Sequence, residues 1–222
     1  MGYVALFLAS YFLGAIPFAY VVTKLLAGVD IRTVGSGNVG ATNVRRAAGN
    51  AAAAVVLALD VAKGFVPAYF LPTWFARMSP GLSLGLAGVL CGLGAILGHV
   101  FTVFLRFRGG KGVATSCGVA FGLAPLQASI ALGVFVVVVA IWRYISLGSM
   151  SAAAAFLVSL VLLGKEPWGA GLPLTLFAIA VVVLIVVRHR TNIGRLLAGT
   201  EHKIGQDRQG SREGSAQVPP TS

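Results

Sequence analysis

The chain has 222 residues, 57% of them hydrophobic and 10% charged, with mean hydropathy +0.90 and a formal net charge of +11. These values exclude an ordinary soluble domain, and apolar runs of about 20 residues throughout read as one polytopic all-α membrane domain. The runs do not alternate, which excludes a β-barrel, and the bases flank apolar spans instead of forming a basic face for nucleic acid.

The first helix is expected over 3–26. It lacks a basic n-region and an A-x-A cleavage site, so it reads as a retained span rather than a signal peptide. The polar stretch Gly35–Arg46 follows, and formally contains G-x-G-x-x-G. A dinucleotide site needs a preceding strand, and a membrane span precedes this one. What survives is a glycine loop entering a helix, whose free N–H groups suit an oxyanion or phosphate, with Thr42 and Arg46 on one helix face. The plain alternative is a helix cap with a membrane-anchoring arginine pair. The second helix, 43–71, carries Asp60 and Lys63 at i, i+3 inside the span, either a functional pair or a neutralising salt bridge. Asp60 would sit roughly 21 Å along the helix from Arg46, which favours support over substrate contact.

The third helix, 82–105, brings His99 near its end, and Arg106–Thr115 repeats the glycine design with Lys111. Gly112 after the lysine and a missing upstream glycine rule out a P-loop. Helices then follow over 112–124, 126–142, 145–163 and 171–188. The fourth is too short to cross alone and meets the fifth at Ala124-Pro125, so six or seven spans are possible. Seven would place all of the 17 Lys and Arg except Lys63, Arg77 and Lys165 on one side. That favours an outside amino terminus and a cytoplasmic carboxyl terminus. Cys91 and Cys117 lie in apolar context, against a disulfide. In Arg188–Arg195, His189 and Asn192 are three apart, and on one helix would point the same way toward an oxyanion or hydroxyl. The arginines alone would also make a stop-transfer cluster. His202 and Asp207 form an H-x4-D match, read as chance because it opens a tail, 206–222, expected to be disordered. Residues 1–205 form the single domain.

Together, Ser36–Arg46, Gly98–Thr115 and Arg188–Gly205 resemble the bacterial acyl-phosphate:glycerol-3-phosphate acyltransferases, as do Leu59–Gly64 and Arg143–Leu147. The resemblance runs through residues 3–205. It implies a seven-span bacterial inner-membrane enzyme with a cytoplasmic active site. That enzyme would move a fatty acyl group from acyl phosphate to the 1-hydroxyl of glycerol 3-phosphate, the first acylation of phospholipid synthesis. Catalytic roles would fall on His189, Asn192 and Lys111. Substrate binding would fall on Ser36, Asn38, Thr42, Asn43, Arg46, His99, Gly109, Gly110, Arg143 and Ser146, with Asp60, Lys63 and Glu201 as support.

No cofactor or metal is called for, and a monomer is compatible with the pattern. The residues agree with one requirement: two anionic phosphates must be held while a hydroxyl attacks an acyl carbonyl. With no Ser-His-Asp arrangement in sight, direct transfer is expected, the proton passing to a substrate phosphate oxygen or to His189 or His99. The acyl chain is expected in a groove open to lipid. A transporter of a phosphorylated metabolite is the main rival, and a non-catalytic scaffold a second. Acyl-CoA or acyl-carrier protein are the other conceivable donors.

Overall fold

In a computed structural model, residues 2–77, 81 and 83–205 are described; the expected tail at 206–222 lies outside them. Nine α-helices occupy these residues and no strand is present among them: α1 (Gly2–Ala15), α2 (Phe18–Ala27), α3 (Ala41–Ala76), α4 (Leu84–Val100), α5 (Val113–Leu123), α6 (Pro125–Trp142), α7 (Ile145–Leu163), α8 (Leu172–Arg188) and α9 (Arg190–Leu197).

The expected first helix is divided at Ile16-Pro17, because Pro17 has no N–H to continue the ladder and disfavours helical Ile16. α3 runs on past its expected end, through Pro67 and Pro72, as spans packed among other helices tolerate. Its backbone breaks instead at Gly49 (φ 84°), a left-handed conformation that glycine adopts at no steric cost. The Arg45–Arg46 turn is thereby set at its own angle to the rest of α3. The third span ends at Val100, and a short 3-10 turn, Val103–Leu105, leads into the lysine loop.

Among the described residues, five segments are long and apolar enough to cross a membrane: Gly2–Ala27, Ala41–Ala76, Leu84–Leu105, Pro125–Trp142 and Ile145–Leu163. α8 with α9, bent by 58°, makes a sixth. α5, with 11 residues, extends roughly 16 Å, about half of the ~30 Å hydrocarbon core.

α1 and α4 lie side by side in the same direction. Ser83 N donates to the Tyr3 hydroxyl at one end (3.0 Å), and Thr102 Oγ1 to Ala15 O at the other (2.6 Å). α3 runs against both, with Lys63 Nζ reaching Ile16 O at 2.9 Å. α5 presses on α3 so closely that a Cβ on Gly64 would overlap Thr115 O, and one on Gly118 would overlap Val61 O. Small residues are how helices approach within lipid, where burial alone offers no drive. At Ala124 the backbone leaves the helical conformation between α5 and α6, and residues of both helices border a cavity. The consequence is positional. The segments 30–46, 107–117, 145–149 and 188–204 each contribute residues to this one cavity at the same end of the bundle.

Candidate active site

That cavity has a volume of about 1700 Å³ and two unlike parts. One is a polar chamber bordered by Ser36, Asn38, Thr42, Arg46, Lys111 and Asn192 among others. The other is an apolar groove between α5, α6, α7 and α8.

The chamber's first wall is the loop before α3. Asn43, 2% exposed, donates from Nδ2 to Ile31 O (3.1 Å) and Val34 O (2.9 Å), while its Oδ1 accepts from Ser36 N (3.4 Å). Its amide is fully occupied in holding the loop. Upstream, Asp30 takes a bidentate grip from Arg32, and that hydrogen bonding lowers its carboxyl to about 2. No side chain caps α3 at Gly40, which leaves its first turn open toward the cavity between Gly40, Ala41 and Thr42.

The second wall is the lysine loop. Gly109 N donates to Val100 O (3.0 Å) and Gly110 N to His99 O (3.3 Å), so neither N–H is left to cradle a phosphate. The glycines instead let the loop lie flat on His99. A Cβ on Gly109 would overlap His99 O, and one on Gly110 would overlap His99 Nε2 and fall 2.6 Å from Val39 O. Gly110 does not border the main cavity; it borders a void of about 10 Å³ beneath, room for one water, with Asp60, Lys63, His99 and Thr102. Gly110→Ala is therefore expected to destabilise the protein by about 1–3 kcal/mol, the usual effect of overpacking. Gly194→Ala, whose Cβ would meet nothing within 4 Å, should leave stability unchanged. Thermal unfolding of the two purified variants checks this.

Below the loop lies an intramembrane trio. Lys63 Nζ is 2.7 Å from Asp60 Oδ1, and His99 Nδ1 is 3.7 Å from the same oxygen. All three are buried, yet Asp60 and His99 also reach the main cavity. Asp60 thus borders the cavity, which the straight-helix reading placed further away, and α3 is not straight between Arg46 and Asp60 but broken at Gly49.

A polar chain closes the chamber's roof. Lys111 Nζ donates to Asn192 Oδ1 (2.5 Å) and Asn192 Nδ2 to Glu201 Oε1 (2.6 Å). Ser146 Oγ also donates to Oε1 (2.7 Å), and Arg195 Nε to Oε2 (2.7 Å). Burial pushes the Glu201 carboxyl up, but the hydrogen bonds from Ser146, Asn192 and Arg195 outweigh it and hold it below its ordinary value. Glu201 thus joins α7, α9 and the segment after α9. Arg143 takes no part in the cavity; its guanidinium grips Ile204 O (Nε 3.1 Å) while Ile204 N donates to Arg143 O (2.9 Å).

His189 sits at the break between α8 and α9, not on one helix with Asn192, and both still border the cavity. Its Nδ1 is 2.8 Å from Ile185 O. A carbonyl only accepts, so Nδ1 carries the proton and Nε2 keeps its lone pair.

Sequence reasoning assigned no role to Arg188, whose Nη2 donates to Gly109 O (3.1 Å) and Gly110 O (3.0 Å). Its Nε, like Ser116 Oγ, is buried without a hydrogen-bond partner, and both residues border the cavity. Arg188 reads in sequence as one more stop-transfer base, and Ser116 as one more small helix residue. Nothing in spacing separates them from their neighbours.

A family model described as glycerol-3-phosphate acyltransferase matches residues 4–199. A glycerol-3-phosphate acyltransferase of Endomicrobium trichonymphae is 44% identical over 195 residues, covering 88% of this chain and 92% of that one. One of Salinibacter ruber is 46% identical over 208 residues, covering 89% and 90%. Among solved structures, the integral membrane glycerol 3-phosphate acyltransferase PlsY in its glycerol 3-phosphate form superposes with a TM-score of 0.80 at 41% identity, over 92% of this chain and 96% of that one. Its lysophosphatidic acid form gives 0.78 at 40% identity. With nine-tenths of its length matched and its polar segments gathered at one cavity, this chain belongs to the family of membrane-integral glycerol-3-phosphate acyltransferases.

Proposed function

We propose that the chain transfers a fatty acyl group from acyl phosphate to the 1-hydroxyl of sn-glycerol 3-phosphate, giving lysophosphatidic acid and inorganic phosphate. One observation carries this reading: a single cavity joins a basic polar chamber to an apolar groove between helices. The chamber suits two phosphates and the groove suits a fatty chain. A donor with a small phosphate head fits that shape without a docking face for a nucleotide or carrier protein.

In the reaction, the 1-hydroxyl oxygen attacks the acyl carbonyl carbon, and the carbonyl-to-phosphate C–O bond breaks. The hydroxyl proton passes to a phosphate oxygen, so no covalent acyl-enzyme forms. Acyl phosphate is already activated, and positioning with charge neutralisation supplies most of the catalysis. Lys111, with Arg46 and Arg188, holds phosphate oxygens. Ser36, Asn38 and Thr42 line the glycerol phosphate side. His189 Nε2 accepts from the neighbouring 2-hydroxyl and so orients the glycerol backbone, leaving the 1-hydroxyl proton to the phosphate oxygen, and Asn192 fixes Lys111. Asn43, Arg143, Gly109 and Gly110 act indirectly, by shaping the walls.

The cavity end carries most of the basic residues and so faces the cytoplasm of a bacterial inner membrane, with the amino terminus outside. Seven spans follow when α5 and α6 are counted separately.

Burial pushes the Lys111 ammonium down to about 8. Its charged form therefore prevails below that pH and is lost above it. KM for the phosphate-bearing substrates should rise several-fold between pH 7 and 9, and less in Lys111→Arg, whose charge persists. Initial rates across that range check the effect.

The deciding experiment supplies purified protein in a lipidic medium with palmitoyl phosphate and glycerol 3-phosphate, and separately with palmitoyl-CoA. Equal release of phosphate and lysophosphatidate supports the reading. Ester formed from the thioester alone overturns the donor. Flux of glycerol 3-phosphate into sealed vesicles with no new ester would return the transporter.

A further inference from the structure

The apolar groove has a closed end, where alanine and phenylalanine side chains stand together, while α6 lines its part nearer the chamber with Leu132 and Phe135. α6 contributes Ala128 and Ala131 to the wall, and α8 contributes Ala178. Phe121, Phe156 and Phe177 stand at its far end, from α5, α7 and α8. Beyond them Ala124, Leu160 and Leu174 pack with Ala128, Phe156 and Ala178, and none of the first three borders the cavity. The closure lies at the turn at Ala124: α5 ends there after 11 residues, and Ala124 packs in the core with Ala128 and Phe156. Only residues further from the turn on α5 and α6, such as Cys117 and Leu132, border the cavity without joining that core.

The geometry points to a measuring pocket for acyl length, with Ala128 and Ala131 as residues that set the limit. This rests on the acyltransfer reading above. From Arg188 at the polar end to Phe177 is roughly 16 Å of helix. A fully extended chain advances roughly 1.2 Å per bond. The closed part therefore holds about 12 to 14 carbons, and a longer tail must turn aside into lipid.

The chain arrives from lipid, so each methylene gains packing and no hydrophobic transfer. Selection then comes from exclusion by the wall. Ala128, Ala131 and Ala178 share the wall and a packed cluster with Phe156, and a larger side chain there would take up groove space. α6 runs from the closed end toward the chamber, so Ala131 lies about 4.5 Å nearer the chamber than Ala128. A block at Ala131 should act on chains about four carbons shorter than a block at Ala128.

The test measures kcat/KM for saturated acyl phosphates of 8 to 18 carbons with purified wild type, Ala128→Leu and Ala131→Leu. Ala128→Leu is expected to lose about tenfold or more with 14- and 16-carbon donors and to stay within about twofold of wild type with the 8-carbon donor. Ala131→Leu should bring the same loss to 10- and 12-carbon donors, with KM for glycerol 3-phosphate unchanged in both. The retained 8-carbon rate shows that the fold is intact. Phe156→Leu, which removes volume at the closed end, should raise the 18-carbon rate relative to the 14-carbon rate about threefold. An unshifted length profile in the three variants, or an equal loss at every length with no change in Phe156→Leu, overturns the pocket while leaving the acyltransfer reading intact. No ester from any donor with wild type overturns that reading and the pocket with it.

Discussion

Lys111→Ala will lower kcat/KM for ester formation by about a thousandfold, roughly 4 kcal/mol of transition-state stabilisation. Its Nζ projects at the chamber between the lysine loop and α9, held at 2.5 Å by Asn192 Oδ1. A neutral amide oxygen leaves the ammonium's other two protons for a ligand. Charge that develops on a leaving phosphate meets this cation at fixed position, in a partly desolvated site where the interaction is stronger than in water. Asn192→Ala should cost less, about tenfold to a hundredfold, because the charge stays and only its aim is lost. Steady-state rates with both substrates varied, alongside circular dichroism to show intact helix, decide it. Retention of wild-type rate within tenfold in Lys111→Ala would remove the lysine from the proposed role.

The all-helical membrane architecture was legible because hydropathy is summed over whole spans, and a run such as 145–163 admits no other reading. The three polar segments were legible for the converse reason: glycine, arginine, asparagine and histidine are conspicuous against lipid-soluble helix. What each residue does was less legible. Gly109 and Gly110 read as ligand-approach glycines, yet their packing partner is His99, more than nine residues earlier in the chain and outside any local pattern. Asn43 read as a substrate ligand, and its amide instead braces carbonyls on the preceding turn. Glu201 read as support from the resemblance alone; its carboxylate accepts from three donors, Ser146 on α7 and Asn192 and Arg195 on α9, which no sequence spacing foretells.

The groove was expected in kind but not in place. On helices apolar all round, such as α6, lipid-facing and groove-facing residues are chemically alike, so periodicity carries no phase. Leu132 and Val136 are both apolar and one helical turn apart, yet Leu132 borders the cavity and Val136 does not. Which of them faces the cavity is a tertiary fact, and the proline that signals the turn between α5 and α6 does not give its angle.

Asp60→Leu will destabilise the protein by about 3–5 kcal/mol, since it leaves the Lys63 ammonium unpaired inside the bundle. Asp60→Leu with Lys63→Met removes both charges and should recover most of that loss, leaving a deficit of about 1 kcal/mol for the lost hydrogen bond to Ile16 O, which keeps Phe18 N as its other donor. The double variant separates two roles that a single substitution confounds. Were the pair only a means of neutralising charge, activity would return with stability. The structure instead places the Asp60 carboxylate 3.7 Å from the ring of His99, and that ring is the floor on which Gly110 lies. Without the carboxylate the ring loses its one acidic neighbour, and the loop carrying Lys111 loses a fixed support. The double variant is therefore expected to melt near the wild type yet turn over at least about tenfold more slowly, with the deficit in kcat rather than in KM for the acyl donor. Full recovery of both stability and rate would reduce the trio to a salt bridge that happens to lie under the site.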